Sequence, residues 1–137
     1  EQRWPSGVEP SMSEKQVLVP DERHPITITP TTGRVVVTLG ERMVADTGAA
    51  LTLQEASYPP VQYVPIADVD AEVLERTDHA TYCPYKGDAS YYSLVADGRT
   101  HDNAVWAYEV PYDAVAPIAG HVAFYPDVVD VRVYPSV

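Results

Sequence analysis

Apolar and polar residues alternate with a period of two along most of this chain, in short runs broken by proline and glycine. That period belongs to strands packed on one side. In RVVVTL (34–39) Val35, Val37 and Leu39 fall on one face, with Arg34, Val36 and Thr38 on the other. LGER turns the chain into a second strand around Met43–Asp46, and further strands are predicted over Ala49–Gln54 and Tyr63–Ile66. ADVDAEVLER (67–76) is the best helical segment, though short. Thr77–Cys83 and Ala89–Val95 flank the turn CPYKG, and the Asp97-Gly98 pair is a tight-hairpin signal. Asn103–Glu109, His121–Tyr125 and Val129–Tyr134 continue the meander, with one helical turn in YDAV (112–115). Nine or so short strands without βαβ spacing predict a mainly antiparallel β domain.

Composition narrows this further. Thirteen prolines, spread from Pro5 to Pro135, leave little uninterrupted length for helices. The length of 137 residues fits one domain, read as 24–137 after an N-terminal extension of 1–23. Residues 1–11 precede Met12 and are either a non-native addition or a native extension. Twenty acidic against nine basic side chains give a net charge of -11, a field that repels phosphate backbones and excludes nucleic acid as the expected partner. A single cysteine can form neither an internal disulfide nor a multi-cysteine zinc site, which fits a reducing cytoplasm. No apolar run reaches membrane-span length and the N-terminus lacks an apolar signal segment, so a cytoplasmic protein without membrane contact is expected.

Several side chains are candidates for chemistry. Leu51, Leu53 and Glu55 share a face if 50–55 stays extended, so Glu55 either ends the strand in water or is partly buried. Burial would raise its pKa and make it a candidate acid or base. His79, Thr81 and Cys83 alternate onto one face. Cys83 is either a small buried hydrophobe or a nucleophile, and a cysteine–histidine dyad needs His24, His101 or His121 brought in by the fold, because His79 is ~13 Å away along a straight strand. Lys86, in a turn begun by Pro84, is expected in solvent or at a pocket rim where it would steady an anion. Ten tyrosines against one phenylalanine suit pocket walls and interfaces, and Tyr58, Tyr63, Tyr91 and Trp106 are the candidates for a cavity. The four histidines show no paired ligand spacing, and no P-loop, GxGxxG or GxSxG is present, so no metal or cofactor is expected.

Four stretches, HPITITPTTGRVVV, VADTGAALTLQEASYPPVQYVP, TDHATYCPYKGDASYYS and NAVWAYEVPYDAVAPIAGHVAFYPD, together resemble the bacterial family catalogued as domain of unknown function 427, over roughly residues 24–131. The family is labelled nucleotidyltransferase-like, whereas this sequence has neither a phosphate-cradling glycine loop nor a paired-aspartate metal motif. The resemblance implies a β-tent, two antiparallel sheets set at an angle, as in methionine sulfoxide reductase B and the cereblon ligand-binding domain. Those relatives generally carry a cysteine-bound zinc; with one cysteine this chain departs from them, and no zinc is expected. The resemblance also implies a cleft between sheets lined by Glu55, Tyr63, His79, Cys83, Lys86 and Trp106. The expected function is binding of a small polar or anionic metabolite in an aromatic-lined cleft, with catalysis by Glu55 or His79, Lys86 and Cys83. The alternative is a non-catalytic ligand- or protein-binding module, and a homodimer is the candidate assembly.

Overall fold

The computed structural model describes residues 15–135. Among them ten strands form two antiparallel sheets. In chain order they are β1 (Ile26–Pro30), β2 (Arg34–Leu39), β3 (Arg42–Thr47), β4 (Leu51–Glu55), β5 (Val61–Pro65), β6 (Leu74–Cys83), β7 (Gly87–Ala96), β8 (Arg99–Ala107), β9 (His121–Phe124) and β10 (Asp130–Tyr134). The larger sheet runs β1-β4-β5-β9-β8-β7-β6 and the smaller β10-β2-β3. Single 3-10 turns occupy Ile66–Asp68 and Ala71–Val73, and a longer 3-10 segment spans Asp113–Ile118. No helix among the described residues is long and apolar enough to cross a membrane. Residues 1–11 and most of the 1–23 extension lie outside the described residues.

The strand alternation of the sequence builds two cores. Val35, Val37 and Val44 of the small sheet pack against Val64, Leu94, Val105 and Val122 of the large one. The residues next in line, Tyr63, Trp106 and Ala123, must then project from the opposite face. There they join Leu53, Ala89, Tyr91 and Tyr108 in a second, tyrosine-rich core closed over by Val115 and Ile118.

Three expectations are corrected. Residues 67–76 do not form a helix. The Asp70 side chain caps only one turn by accepting from the Glu72 amide at 3.0 Å, while Val69 bridges Ala45 and the Asp70 amide donates to the Val44 carbonyl. Pairing with the edge of β3 and the local aspartate turn together outcompete a helix of this length. Leu74 then opens β6, three residues before the predicted start. The strand β1 has no counterpart among the predicted elements, although Ile26 and Ile28 alternate in the expected way. The Asp97-Gly98 turn is as expected, with φ of 54° and 76°.

The larger sheet is irregular at three places, one of them a register shift in the β7–β8 ladder between Tyr92 and Leu94. Between the pairs Arg76↔Tyr92 and Ala80↔Ser90, β6 advances four residues while β7 advances two, so Thr77–His79 bulge out of the ladder. β5 and β9 pair only at Val64↔Val122 and Pro65↔His121, so Val61 and Gln62 have a ladder partner on the β4 side alone.

Candidate functional site

The separation of β5 from β9 leaves an open groove of about 600 Å³. Val61 and Gln62 line one side, Phe124 and Trp106 the other, and Val131 and Val133 of the small sheet also face it. Tyr58 and the prolines at 59, 60 and 126 complete the wall. Its surfaces are held firmly. The Trp106 indole N–H donates to the Tyr63 hydroxyl at 3.1 Å, the two rings meeting edge to face. Tyr125 packs on Trp106 with ring centroids 4.6 Å apart. Gln62, the one side-chain amide among the described lining residues, accepts from Thr31 at 2.6 Å and donates to Thr52 at 3.0 Å. Among the described residues no charged side chain lines this groove.

Of the four aromatic residues predicted to flank a cavity, Tyr58 and Trp106 line the groove and Tyr63 is buried directly behind Trp106. Tyr91 is one step further back, in the tyrosine core, with its hydroxyl 3.0 Å from that of Thr81. Burial pushes the phenols of Tyr63 and Tyr108 far above the ordinary tyrosine value. Burial and then the hydrogen bond with Tyr91 push Tyr125 up to about 12. All three are therefore neutral hydroxyls at physiological pH.

A second constellation forms at the far end of β4. Glu55 closes that strand opposite Ile26, and its two oxygens are taken by different segments. Oε2 lies 2.7 Å from His24 Nε2 and Oε1 lies 2.5 Å from Lys86 Nζ. The three side chains are 16, 25 and 11% exposed for Glu55, His24 and Lys86. The Lys86 ammonium also sits 5.8 Å from the Tyr108 ring centroid, and the His24 ring stacks on Tyr85 at 4.1 Å and 6°. β4 and β7 are four places apart in the large sheet, about 19 Å if it were flat at ordinary strand spacing. The ion pair therefore means that the sheet curls around the tyrosine core until its two ends meet.

Lys86 reverses its expected position: it is 8% exposed rather than in open water or at a rim. The cause is the backbone of the turn. Gly87 adopts φ of 109°, the Lys86 amide donates to the Cys83 carbonyl, and the Tyr112 amide donates to the Lys86 carbonyl at 3.1 Å. These bonds fix the turn with the lysine stem directed inward.

Glu55 also departs from expectation. Burial alone would raise its pKa, but hydrogen bonds and charge from Lys86 and then His24 outweigh that effect and hold it below the usual carboxylate range. The carboxylate is thus ionised and can only accept, so His24 Nε2 carries the hydrogen between them. Glu55 acts on His24 as an orienting acceptor and leaves Nδ1 as the second ring nitrogen of the pair.

The remaining predicted residues are placed apart from this cluster. His79 lies in the bulge, exposed, its ring tilted against Tyr91 at 4.5 Å. Cys83 is half-buried against the tyrosine core, and among the described residues no hydrogen bond joins it to a histidine. His24 is engaged by Glu55, and His121 Nδ1 pairs with the Ala119 carbonyl at 2.9 Å. His101 lines a separate groove with Asp97 and Arg99. Neither His79, Cys83, Lys86 nor Glu55 lines the aromatic groove. No group of three or more histidine, cysteine, aspartate or glutamate side chains among the described residues is arranged to hold a metal ion.

Against known families, residues 27–134 match the family described as a domain of unknown function, DUF427. The chain belongs to that family. No curated protein matches it. The match spans β1 to β10, so both the groove and the Glu55–Lys86 pair are built within the DUF427 region, while His24 stands three residues before it.

Proposed function

We propose that this DUF427 domain binds a small molecule that presents a flat, uncharged and largely apolar body to the groove between β5 and β9. The observation that carries this reading is the groove itself: its volume of about 600 Å³ falls in the range of ligand sites, and its Trp106 face is held in advance by the Tyr63 hydroxyl. A pre-organised wall loses little freedom on binding, which favours affinity. Among the described residues the lining carries no cation, and the chain's net charge of -11 disfavours an anion there. The polar or anionic metabolite expected from the sequence is therefore replaced by a neutral one at this site.

The enzymatic reading has its own supporting observation, the His24–Glu55–Lys86 cluster. An imidazole oriented by a carboxylate is the arrangement of a general base. In that reading His24 moves the proton, and Glu55 positions it. The free thiol of Cys83 supports a reducing, cytoplasmic setting.

N-phenyl-1-naphthylamine, a neutral aromatic fluorophore, tests the groove. Its emission should rise saturably with one site per chain, and Val133→Asp or Trp106→Ala should weaken binding at least tenfold while Glu55→Gln leaves it intact. Binding that survives both groove variants, or no saturable binding, contradicts the proposal. Concentration-dependent dimerisation abolished by Val133→Asp, without fluorophore binding, would assign the groove to a second copy of the chain instead.

A further inference from the structure

We propose that residues 15–24 are a strap that opens as a unit, and that its opening admits solvent and solutes to Lys86 and Glu55. The inference is independent of what occupies the aromatic groove.

The segment has no strand of its own and is tied to the CPYKG hairpin at successive points. Lys15 pairs with Asp88 at 2.8 Å and lies 4.7 Å from the Tyr82 ring centroid. The Tyr82 hydroxyl donates to the Gln16 carbonyl while also meeting the Tyr112 hydroxyl at 2.7 Å. The Leu18 amide donates to the Pro84 carbonyl at 2.9 Å. At the far end, Asp21 accepts from the amides of Arg23 and His24, closing a turn that delivers His24 onto Glu55 and Tyr85. One residue later the chain is anchored, because the Ala56 amide donates to the Pro25 carbonyl at 2.8 Å and β1 begins.

These ties are almost all polar. Val17 and Val19 are 53 and 75% exposed, and only Leu18 of the three is half-buried. Segments with few buried apolar contacts open at free energies far below global unfolding. The hairpin beneath is different: Gly87 and Ala89 are buried, and Tyr91 belongs to the tyrosine core. The two layers should therefore separate at the strap. Lifting it removes His24 from one oxygen of Glu55 and from the face of Tyr85, while Lys86 keeps its place in the turn. Opening thus converts a closed three-member cluster into an accessible lysine–carboxylate pair.

The test uses the two lysines of the chain, Lys15 and Lys86, as reporters. Acetylation by an N-hydroxysuccinimide ester, followed by peptide mass spectrometry, gives separate rates for each. In the wild type Lys86 should react far more slowly than Lys15, with a urea dependence much shallower than that of global unfolding. Tyr82→Phe, which removes the tie to Gln16 together with the contact to the Tyr112 hydroxyl, should speed Lys86 labelling roughly five- to tenfold, the effect of the one strap bond among the two that are lost. Leu18→Pro, which removes the amide tie to Pro84, should do the same by an independent route. Neither variant should alter N-phenyl-1-naphthylamine binding, so failure here is distinguishable from failure of the groove. Lys86 rates within twofold of wild type in both variants would overturn the strap, as would labelling whose urea dependence equals that of unfolding.

Discussion

Replacing Lys86 by methionine keeps the length of the stem and deletes the charge that Glu55 meets. The turn bonds of Lys86 involve its backbone, so they survive. What is lost is the contact at 2.5 Å and the ammonium's place 5.8 Å from the Tyr108 ring, leaving a carboxylate 16% exposed with His24 as its remaining side-chain partner among the described residues. Breaking a fully buried pair costs ~3–5 kcal/mol, and an exposed pair is worth at most ~1 kcal/mol. Glu55 keeps some contact with water and its second partner, so a loss of about 2 kcal/mol is expected at pH 7. For a chain of this size that is roughly 6–8 °C in the midpoint of thermal unfolding. The pH dependence has a definite sign. The folded pKa of Glu55 lies below its unfolded value, so its ionised form contributes stability above the unfolded value of about 4.3, and that stability disappears as pH falls through the folded pKa. The penalty of Lys86→Met should accordingly be full at pH 7 and shrink as pH falls below the unfolded value and through the lowered folded pKa of Glu55. Urea unfolding followed by circular dichroism at pH 7 and pH 3 reads both values. A neutral or stabilising effect at pH 7, or a penalty unchanged at pH 3, would refute the reasoning.

Two further variants probe the supports of the sites. Gly87→Ala should destabilise by about 1–3 kcal/mol through backbone strain at φ of 109°, since the added carbon meets its nearest neighbour at an ordinary 3.5 Å; a change below half of that in urea unfolding would count against strain as the cause. Trp106→Phe removes the indole donor from the buried Tyr63 hydroxyl and should cost about 1–3 kcal/mol by the same measurement, whereas Tyr63→Phe with Trp106→Phe should cost less than the sum of the two single changes.

The sheets were legible because alternation with a period of two carries the buried face directly: Val35 and Val37 of β2 are both fully buried. β1 escaped because its two isoleucines stand between threonines and prolines, and its pairing with β4 is a contact across the chain that no local pattern announces. The segment 67–76 misled for the opposite reason, since its local preference for helix was overridden by the bridge from Val69 to Ala45. Among site residues, Glu55 stood out by breaking an apolar face, and Tyr58 and Trp106 by being aromatic. Lys86 was placed in a turn correctly but on the wrong side of it, because the bonds that turn it inward come from Tyr112 and from Glu55, 26 and 31 positions away. From sequence, His24 is a candidate only as a partner for Cys83. Its real partner, Glu55, is 31 positions away, and the pairing of β1 with β4, which sets Ile26 opposite Glu55, brings them together.

Binding in the groove between β5 and β9 is the central claim, and a crystal soaked in N-phenyl-1-naphthylamine tests it most directly. The fluorophore should appear against Trp106 and Tyr58, over Val131 and Val133, with the Trp106–Tyr63 hydrogen bond unbroken. A groove that stays empty at saturating fluorophore, or density for the fluorophore elsewhere on the molecule, would contradict it.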